Sequence, residues 1–439
     1  MTVWIIEPHD PLIVRDGKPF TTSAGARSTS LAFPFPSTTT GGVRTLAGLN
    51  EQRVFTLQGE ELVELKKFAV RGPLLVQLDD NGAWEVLPPA PLDVLLLVPE
   101  EGEGKAGQVE MRRLVPIEKG TALCSAFSDS TSQSTDAEKS LVLVGLVKPN
   151  ESKPAKDVPL YWYWEKFRKW LINPDGECGL ITPSEQGHRG PQREQRTHVS
   201  IDATRASADD GLLFGTSGLE FTHVGKPVDV KQEIIASPEV QGSLLSRAKR
   251  LALAVVVDEQ NKFAAELQDG VVGFGGERRM VSWHKSSTPL PPCPIEVVEK
   301  IMAQEACRVI LLTPAYFAQG YYPTWLTQEL HGVKPVVKAI AVQRPHVISG
   351  WDLVKKGPKP TRRLVPVGTV LFLSLQGASE AAIKDWVDNI WMQCVSDDAD
   401  GENEEKEQNR LDGFGVAALG TWSGEPVKID WSNENERTA

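Results

Sequence analysis

The residues best placed to do chemistry are glycines followed by arginines. Gly273-Phe274-Gly275-Gly276-Glu277-Arg278-Arg279 puts backbone that can be approached closely beside two guanidinium groups. Glycine admits a neighbouring backbone, and arginine pairs phosphates or stacks on bases. A tight hairpin accounts for the run equally well. A second candidate, Phe33-Pro34-Phe35-Pro36-Ser37-Thr38-Thr39-Thr40-Gly41-Gly42-Val43-Arg44, sets hydroxyls, paired glycines and an arginine at the start of an expected helix. Glycine in a first helical turn costs about 1 kcal/mol against alanine, so the pair suggests a close approach, and exposed amides at a helix start suit phosphate. A capped helix packed on a sheet is the plain alternative. A third candidate runs from Gly350-Trp351-Asp352 through Lys355-Lys356-Gly357-Pro358-Lys359-Pro360-Thr361-Arg362-Arg363. It joins stacking and phosphate pairing in one extended loop, a pattern suited to single-stranded nucleic acid and shared by ordinary solvated loops.

Catalytic patterns are missing. The chain contains no H-E-x-x-H, G-x-S-x-G or phosphate-loop sequence, and no G-x-G-x-x-G opens a helix. His9-Asp10 lacks a second such pair, and His198 in Thr197-His198-Val199 reads as structural, with general acid or base work in RNA cleavage as the competing reading. The five cysteines, Cys124, Cys178, Cys293, Cys307 and Cys394, are scattered without a C-x-x-C pair, so neither disulfides nor zinc are expected and a reducing cytoplasm fits. The first residues, Met1-Thr2-Val3-Trp4-Ile5-Ile6-Glu7-Pro8, show no basic leader, and no apolar run spans a bilayer.

A net charge of −11 opposes indiscriminate nucleic-acid binding and leaves room for a local site. Cations gather between Lys355 and Arg363 and again at His188, Arg189, Arg193, Arg196 and His198. Acidic residues concentrate in 397–407, DDADGENEEKE, read as a solvated, disordered insertion.

The elements that must position these residues are α and β mixed. With 439 residues and 41% hydrophobic content, two cores are expected. In the second half, Leu251 to Val257 is read as a buried strand, followed by a helix with Ile295, Val298, Ile301 and Met302 on one face after Pro294. Strands at Arg308 to Thr313 and Gly368 to Leu375 follow, then a helix through Ile383, Trp386, Val387, Ile390 and Trp391 capped by Ser379, and a strand at Gly415 to Trp422. That order is β-α-β-β-α-β, the ferredoxin-like split unit. The first half reads the same way: strand Val3 to Ile6, helix Ser37 to Leu49, strands Val70 to Leu78 and Trp84 to Leu97, helix Tyr161 to Ile172, and a strand near Leu219 to Val224. The expected fold is therefore α+β, two tandem ferredoxin-like (RRM-like) domains with long inserted loops. The first spans 1–235; the second, 236–439, carries the glycine-rich loop and the acidic insertion. The connections Asp10 to Pro36 and Glu118 to Ser140 are long enough to reach a partner.

Several separated segments together resemble one family, the RAMP-type third subunit of the Cmr effector complex of type III-B CRISPR systems. They are Asp10-Pro11-Leu12, Arg15-Asp16-Gly17-Lys18-Pro19-Phe20, Phe35-Pro36-Ser37-Thr38, Gly42-Val43-Arg44-Thr45, and Thr197-His198-Val199-Ser200-Ile201-Asp202. Gly275-Gly276-Glu277-Arg278-Arg279, Leu312-Thr313-Pro314-Ala315, Arg344-Pro345, Ile348-Ser349-Gly350-Trp351-Asp352, Lys359-Pro360-Thr361-Arg362-Arg363 and Gly413-Phe414-Gly415 complete the set. The resemblance implies two ferredoxin-like domains and a subunit without catalytic, metal or cofactor site that grips the 5′ handle of the guide RNA. It also implies docking to the large palm-domain subunit and to the first backbone RAMP subunit, in antiviral defence. The expected RNA path runs between the two domains past Gly41, Gly42, Arg44, Gly275, Gly276, Arg278, Arg279, Trp351, Lys359, Arg362, Arg363, Gly413 and Gly415. The alternatives are a RAMP-type endoribonuclease that processes guide RNA through His198 or His9, and a purely structural adaptor. Within the family reading, the handle-gripping subunit of a type III-A complex is the nearest neighbour.

Overall fold

The computed structural model describes residues 1–14, 27–28, 30–100, 105, 107–118, 141–202, 204–224, 248–349, 351–352, 357–358, 361–398 and 408–430. The chain is a mixture of α and β, with mostly antiparallel sheets and few helices. Its contacts divide it into two compact units, one of Met1–Leu87, Gly190–Pro289 and Val347–Arg362, the other of Pro88–Arg189, Leu290–His346 and Arg363–Ala439.

The first unit is built on a seven-stranded sheet. Val3 to Ile6 and Leu251 to Val257 are unbroken apolar runs, buried throughout, and a strand apolar on both faces belongs in the middle of a sheet. They pair antiparallel with each other, and the path runs Gly270–Phe274, Arg279–Ser286, Thr2–Pro8, Ala248–Val257, Val70–Leu78, Trp84–Val86. The helix Pro36–Ala47 packs on Val70–Leu78 and buries Thr39, Thr40, Val43 and Ala47. A long hairpin, Gln192–Asp202 with Ser207–Glu220, joins this unit through the bridge between Leu12 and Leu219.

The second unit holds a four-stranded antiparallel sheet in the order Val336–Ala341, Val370–Ser374, Ala306–Leu311, Ala417–Thr421. The helices Ile295–Gln304 and Glu380–Ile390 pack on each other, and Trp164–Ile172 packs on Ala417–Thr421. Ser379 caps its helix as its sequence position suggests, accepting from the amide of Ala382 at 3.2 Å. Inside this unit Arg308 is wholly buried. Its guanidinium pairs with the equally buried Asp93 and donates to the carbonyls of Trp170 at 2.7 Å and Thr421 at 2.8 Å. Burial pushes the Arg308 pKa down and Asp93 opposes that shift. The cation so ties the 88–93 segment and the Trp164–Ile172 helix to a central strand.

The two sheets share an order. Across the sheets the strands run 70–78, 248–257, 2–8, 279–286 and 336–341, 370–374, 306–311, 417–421, which in both is the second, third, first and fourth of the four in chain order. The helices differ. In the first unit a helix fills the first crossover, while the connection before 279–286 holds the short 3-10 turn Lys262–Glu266 and an edge strand. In the second unit a helix fills the last crossover, and 312–335 contains none.

Three expectations are corrected. The strand at Leu251 to Val257, read as opening the second domain, lies in the first unit's sheet between Thr2–Pro8 and Val70–Leu78, because an apolar run signals a central strand without saying in which sheet. Trp84 to Leu97 is not one strand: Trp84–Val86 belongs to the first unit and Val94–Leu97 to the second, parted at Pro88, Pro89 and Pro91, which cannot donate to a ladder. Asp397 and Asp398 are not part of a solvated run. Asp397 is 1% exposed and Asp398 pairs with Arg410 at 2.8 Å, while 399–407 lie outside the described residues. Residues 119–140 of the second long connection also lie outside them.

Candidate nucleic-acid interface

In the first unit, three of the resembling segments come together. The strands Gly270–Phe274 and Arg279–Ser286 form a hairpin whose last pair is Phe274 with Arg279. The turn between them holds Gly275 at φ +69°, Glu277 at +58° and Arg278 at +49°. Left-handed backbone costs a non-glycine residue about 1–2 kcal/mol, so the consecutive Glu277 and Arg278 store strain that the surroundings must hold. They do so from the 11–14 segment: the Gly276 amide donates to the Ile13 carbonyl at 2.7 Å. A Cβ on Gly275 would lie 2.8 Å from that same carbonyl oxygen, which is why glycine stands there. The helix Pro36–Ala47 closes the group, since a Cβ on Gly42 would lie 2.8 Å from the Phe274 ring.

Gly42 thus serves packing within the chain, whereas Gly41 is exposed with open space at its Cα. The Arg44 guanidinium donates through Nε and Nη2 to the Phe68 carbonyl, at 3.0 and 2.9 Å, and ties the helix to the entry of the Val70–Leu78 strand. Arg279 pairs with Glu277 at 2.9 Å, and its Nε is buried without a partner. Arg278 is exposed at the crest of the turn and makes no ion pair among the described residues. A strained turn, open backbone and one uncommitted guanidinium make a surface that can accept phosphate.

The neighbouring histidines are occupied. His9 Nε2 lies 2.6 Å from the Ser282 hydroxyl, and His198 Nε2 lies 2.8 Å from that of Thr216. Among the described residues no three His, Cys, Asp or Glu side chains gather as a metal site would require. Among the described residues Cys178, Cys293, Cys307 and Cys394 form no disulfide. Burial pushes Cys293 up to about 12 and Cys307 still higher, which keeps both protonated and unreactive.

The other expected site residues fall elsewhere. Gly413 and Gly415 belong to the second unit and are buried. The Thr313 hydroxyl donates to the Gly413 carbonyl and accepts from the Val416 amide, both at 2.8 Å, so two resembling segments meet there as well. Lys355, Lys356 and Lys359 lie outside the described residues, as does the side chain of Trp351. Arg362 is half-buried and Arg363 exposed on the strand Arg362–Leu364. The cations gathered in sequence between His188 and His198 separate: His188 and Arg189 lie in the second unit, Arg193, Arg196 and His198 in the first. Arg189 is neutralised by Asp157 and Arg196 by Glu194.

Sequence reasoning missed the hub of the second unit. The Asp397 carboxylate accepts the amides of Ala318 at 3.0 Å, Thr324 at 2.9 Å and Trp325 at 2.7 Å, fixing the loop that starts from Leu312-Thr313-Pro314-Ala315. Arg410 lies over the Trp325 ring at 4.4 Å. The only signal was an aspartate at the head of an acidic run, where charge hides a buried role.

A model of the family described as CRISPR-associated protein (Cas_Cmr3) matches residues 4–422. Among solved structures, the chain is similar to one in the cryo-EM structure of the type III-B Cmr-beta bound to cognate target RNA and AMPPnP, state 1. The identity is 14%, 88% of each chain is covered and the TM-score is 0.42. It is similar also to a chain in the structure of the type III-B Cmr-beta bound to cognate target RNA, at 15% identity, over 95% of this chain and 99% of that one, with a TM-score of 0.42. Among curated proteins none matches.

Proposed function

The chain belongs to the Cas_Cmr3 family of CRISPR-associated proteins, and on that premise we propose that it is the non-catalytic RNA-binding subunit of a type III-B effector complex. In this reading it grips the 5′ handle of the guide RNA and docks the large palm-domain subunit and a backbone RAMP subunit. The observation that carries it is the convergence of 11–14, Gly42 and the 275–279 turn, with Arg278 uncommitted at the crest. Open backbone at Gly41 admits the RNA chain and Arg278 pairs its phosphate, with Arg279 and Arg362 as further cations of the same unit. Arg44 acts by holding the helix in place, and the buried Gly413 and Gly415 by shaping their loop. Each unit is read as a ferredoxin-like module with insertions, a reading that the shared strand order supports.

The endoribonuclease reading would route proton transfer through His198 or His9. Each imidazole already has a hydroxyl partner, which favours a positioning role. The test replaces Arg278, Arg279, Arg362 and Arg363 together by alanine in the co-expressed complex. Guide RNA retention falls at least tenfold while the thermal unfolding midpoint stays in place; unchanged retention puts the path elsewhere.

A further inference from the structure

Between Leu330 and Ser379 the chain holds one carboxylate, Asp352, against eight lysines and arginines, although the whole chain carries −11. Part of this stretch is the edge strand Val336–Ala341 of the second unit and its continuation to His346. Burial alternates along the strand: Val337, Ala339 and Ala341 are buried, while Val336, Lys338, Ile340 and Val342 reach the surface. The backbone edge is met by the 141–145 segment, whose Val142 amide donates to the Lys338 carbonyl at 2.9 Å. What the strand leaves open is therefore a face. Past Ala341, the residues Val342, Gln343, Arg344, Pro345 and His346 line an open hollow of about 620 Å³.

The cations here are uncompensated. Elsewhere exposed cations are answered, Arg189 by Asp157, Arg250 by Glu7, Lys285 by Glu259 and Lys384 by Asp388. Lys334, Arg344 and His346 are exposed and Lys338 half-buried, and none of the four makes an ion pair among the described residues. His331, in the turn before the strand, differs, at 3.1 Å from Asp385. The neighbours on either side, Val370–Ser374 and 141–145, carry no charged residue. Beyond the second of them, Glu118 is held by Lys428 at 3.9 Å and Asp430 by Lys148 at 3.6 Å. Free cations on a chain of negative net charge select an anion. A peptide would need an apolar pocket for its anchoring side chain, whereas the hollow offers an amide, a guanidinium and an imidazole, groups that pair phosphates and bond or stack on bases. We propose that this face of the second unit binds single-stranded RNA. Arg344 and His346 hold phosphates, Gln343 meets a base at the hollow, and Lys338 takes the backbone further along the strand. The contact is separate from the glycine turn of the first unit, and rests on the reading above only in taking RNA as the ligand.

The test uses the purified effector with its guide RNA, before and after addition of a complementary target strand, and with the photoreactive p-benzoylphenylalanine in place of the exposed Gln343. Each RNA is labelled in turn. The expected product is a crosslink to RNA, and the label tells whether the guide or the target supplies it. In parallel, Lys338→Glu with Arg344→Glu and His346→Glu lowers retention of that RNA about tenfold and releases it at lower salt, since three phosphate contacts are lost. Arg344→Gln with His346→Gln changes only exposed side chains and acts in the same direction severalfold, so a folding defect in the first variant does not decide the matter. A crosslink to a protein subunit alone, no crosslink, or unchanged retention in both variants overturns the proposal. Guide crosslinks at 275–279 that persist in that event leave the handle reading standing, whereas their absence beside an RNA crosslink at 343 overturns the handle reading alone.

Discussion

Gly275 in the first unit and Gly415 in the second solve the same local problem in different company. Both are left-handed, at φ +69° and +82°, and in both a Cβ would strike the chain, at the Ile13 carbonyl or at the hydroxyl and amide of Ser396. Around Gly275 the turn stays at the surface and ends on the exposed Arg278. Around Gly415, Phe414 is wholly buried and Thr313 ties both sides of the loop. Glycine therefore reports that something approaches closely, and its neighbours decide whether a ligand can approach too. The second unit is organised from within by buried polar ties; the first presents its turn outward.

That contrast breaks most visibly at Asp93. Asp93→Ala leaves the buried Arg308 without its counter-charge, and such a loss costs about 3–5 kcal/mol. Urea unfolding shows it as a lower midpoint, and the paired replacement Asp93→Leu with Arg308→Met recovers only part of the stability, since the Trp170 and Thr421 carbonyls and the Trp170 indole lose their partners. Asp397→Ala comes next: it strands three backbone amides, and each lost bond to a charged group is worth about 1.5–3 kcal/mol, tempered by water entering. Hydrogen exchange then speeds up in 316–326 and not in 273–280. Gly415→Ala and Gly275→Ala sharpen the comparison, since each destabilises by about 1–3 kcal/mol through strain. Only Gly275→Ala also weakens guide retention; equal retention in the two variants erases the distinction. The smallest effect on stability is that of Arg278→Ala, within about 0.5 kcal/mol, while the slope of RNA affinity against salt falls by about one.

Much of the local structure was legible. The helices at 36–47, 295–304 and 380–390 follow from apolar spacing and from Pro36, Pro294 and Ser379 at their starts. The central strands follow from runs such as Leu251 to Val257. Which sheet a run joins was not legible, because the pairing of 2–8 with 248–257 is set by contacts between residues far apart in sequence. For the same reason the basic cluster at 188–198 looked single and is divided between the units. The turn at 273–279 was visible as a hairpin from its glycines, whereas the roles of Arg44, on the Phe68 carbonyl, and of Asp397, under three amides, depend on partners that no local pattern names.

The central claim is that the first unit's glycine turn touches the guide handle. Ultraviolet crosslinking of the chain, co-expressed with the other subunits of the complex, to guide RNA with a native or a scrambled 5′ handle tests it directly. The account predicts crosslinks that map to 275–279 and appear with the native handle alone. Equal crosslinking of both RNAs, or none at that turn despite an intact protein complex, contradicts it.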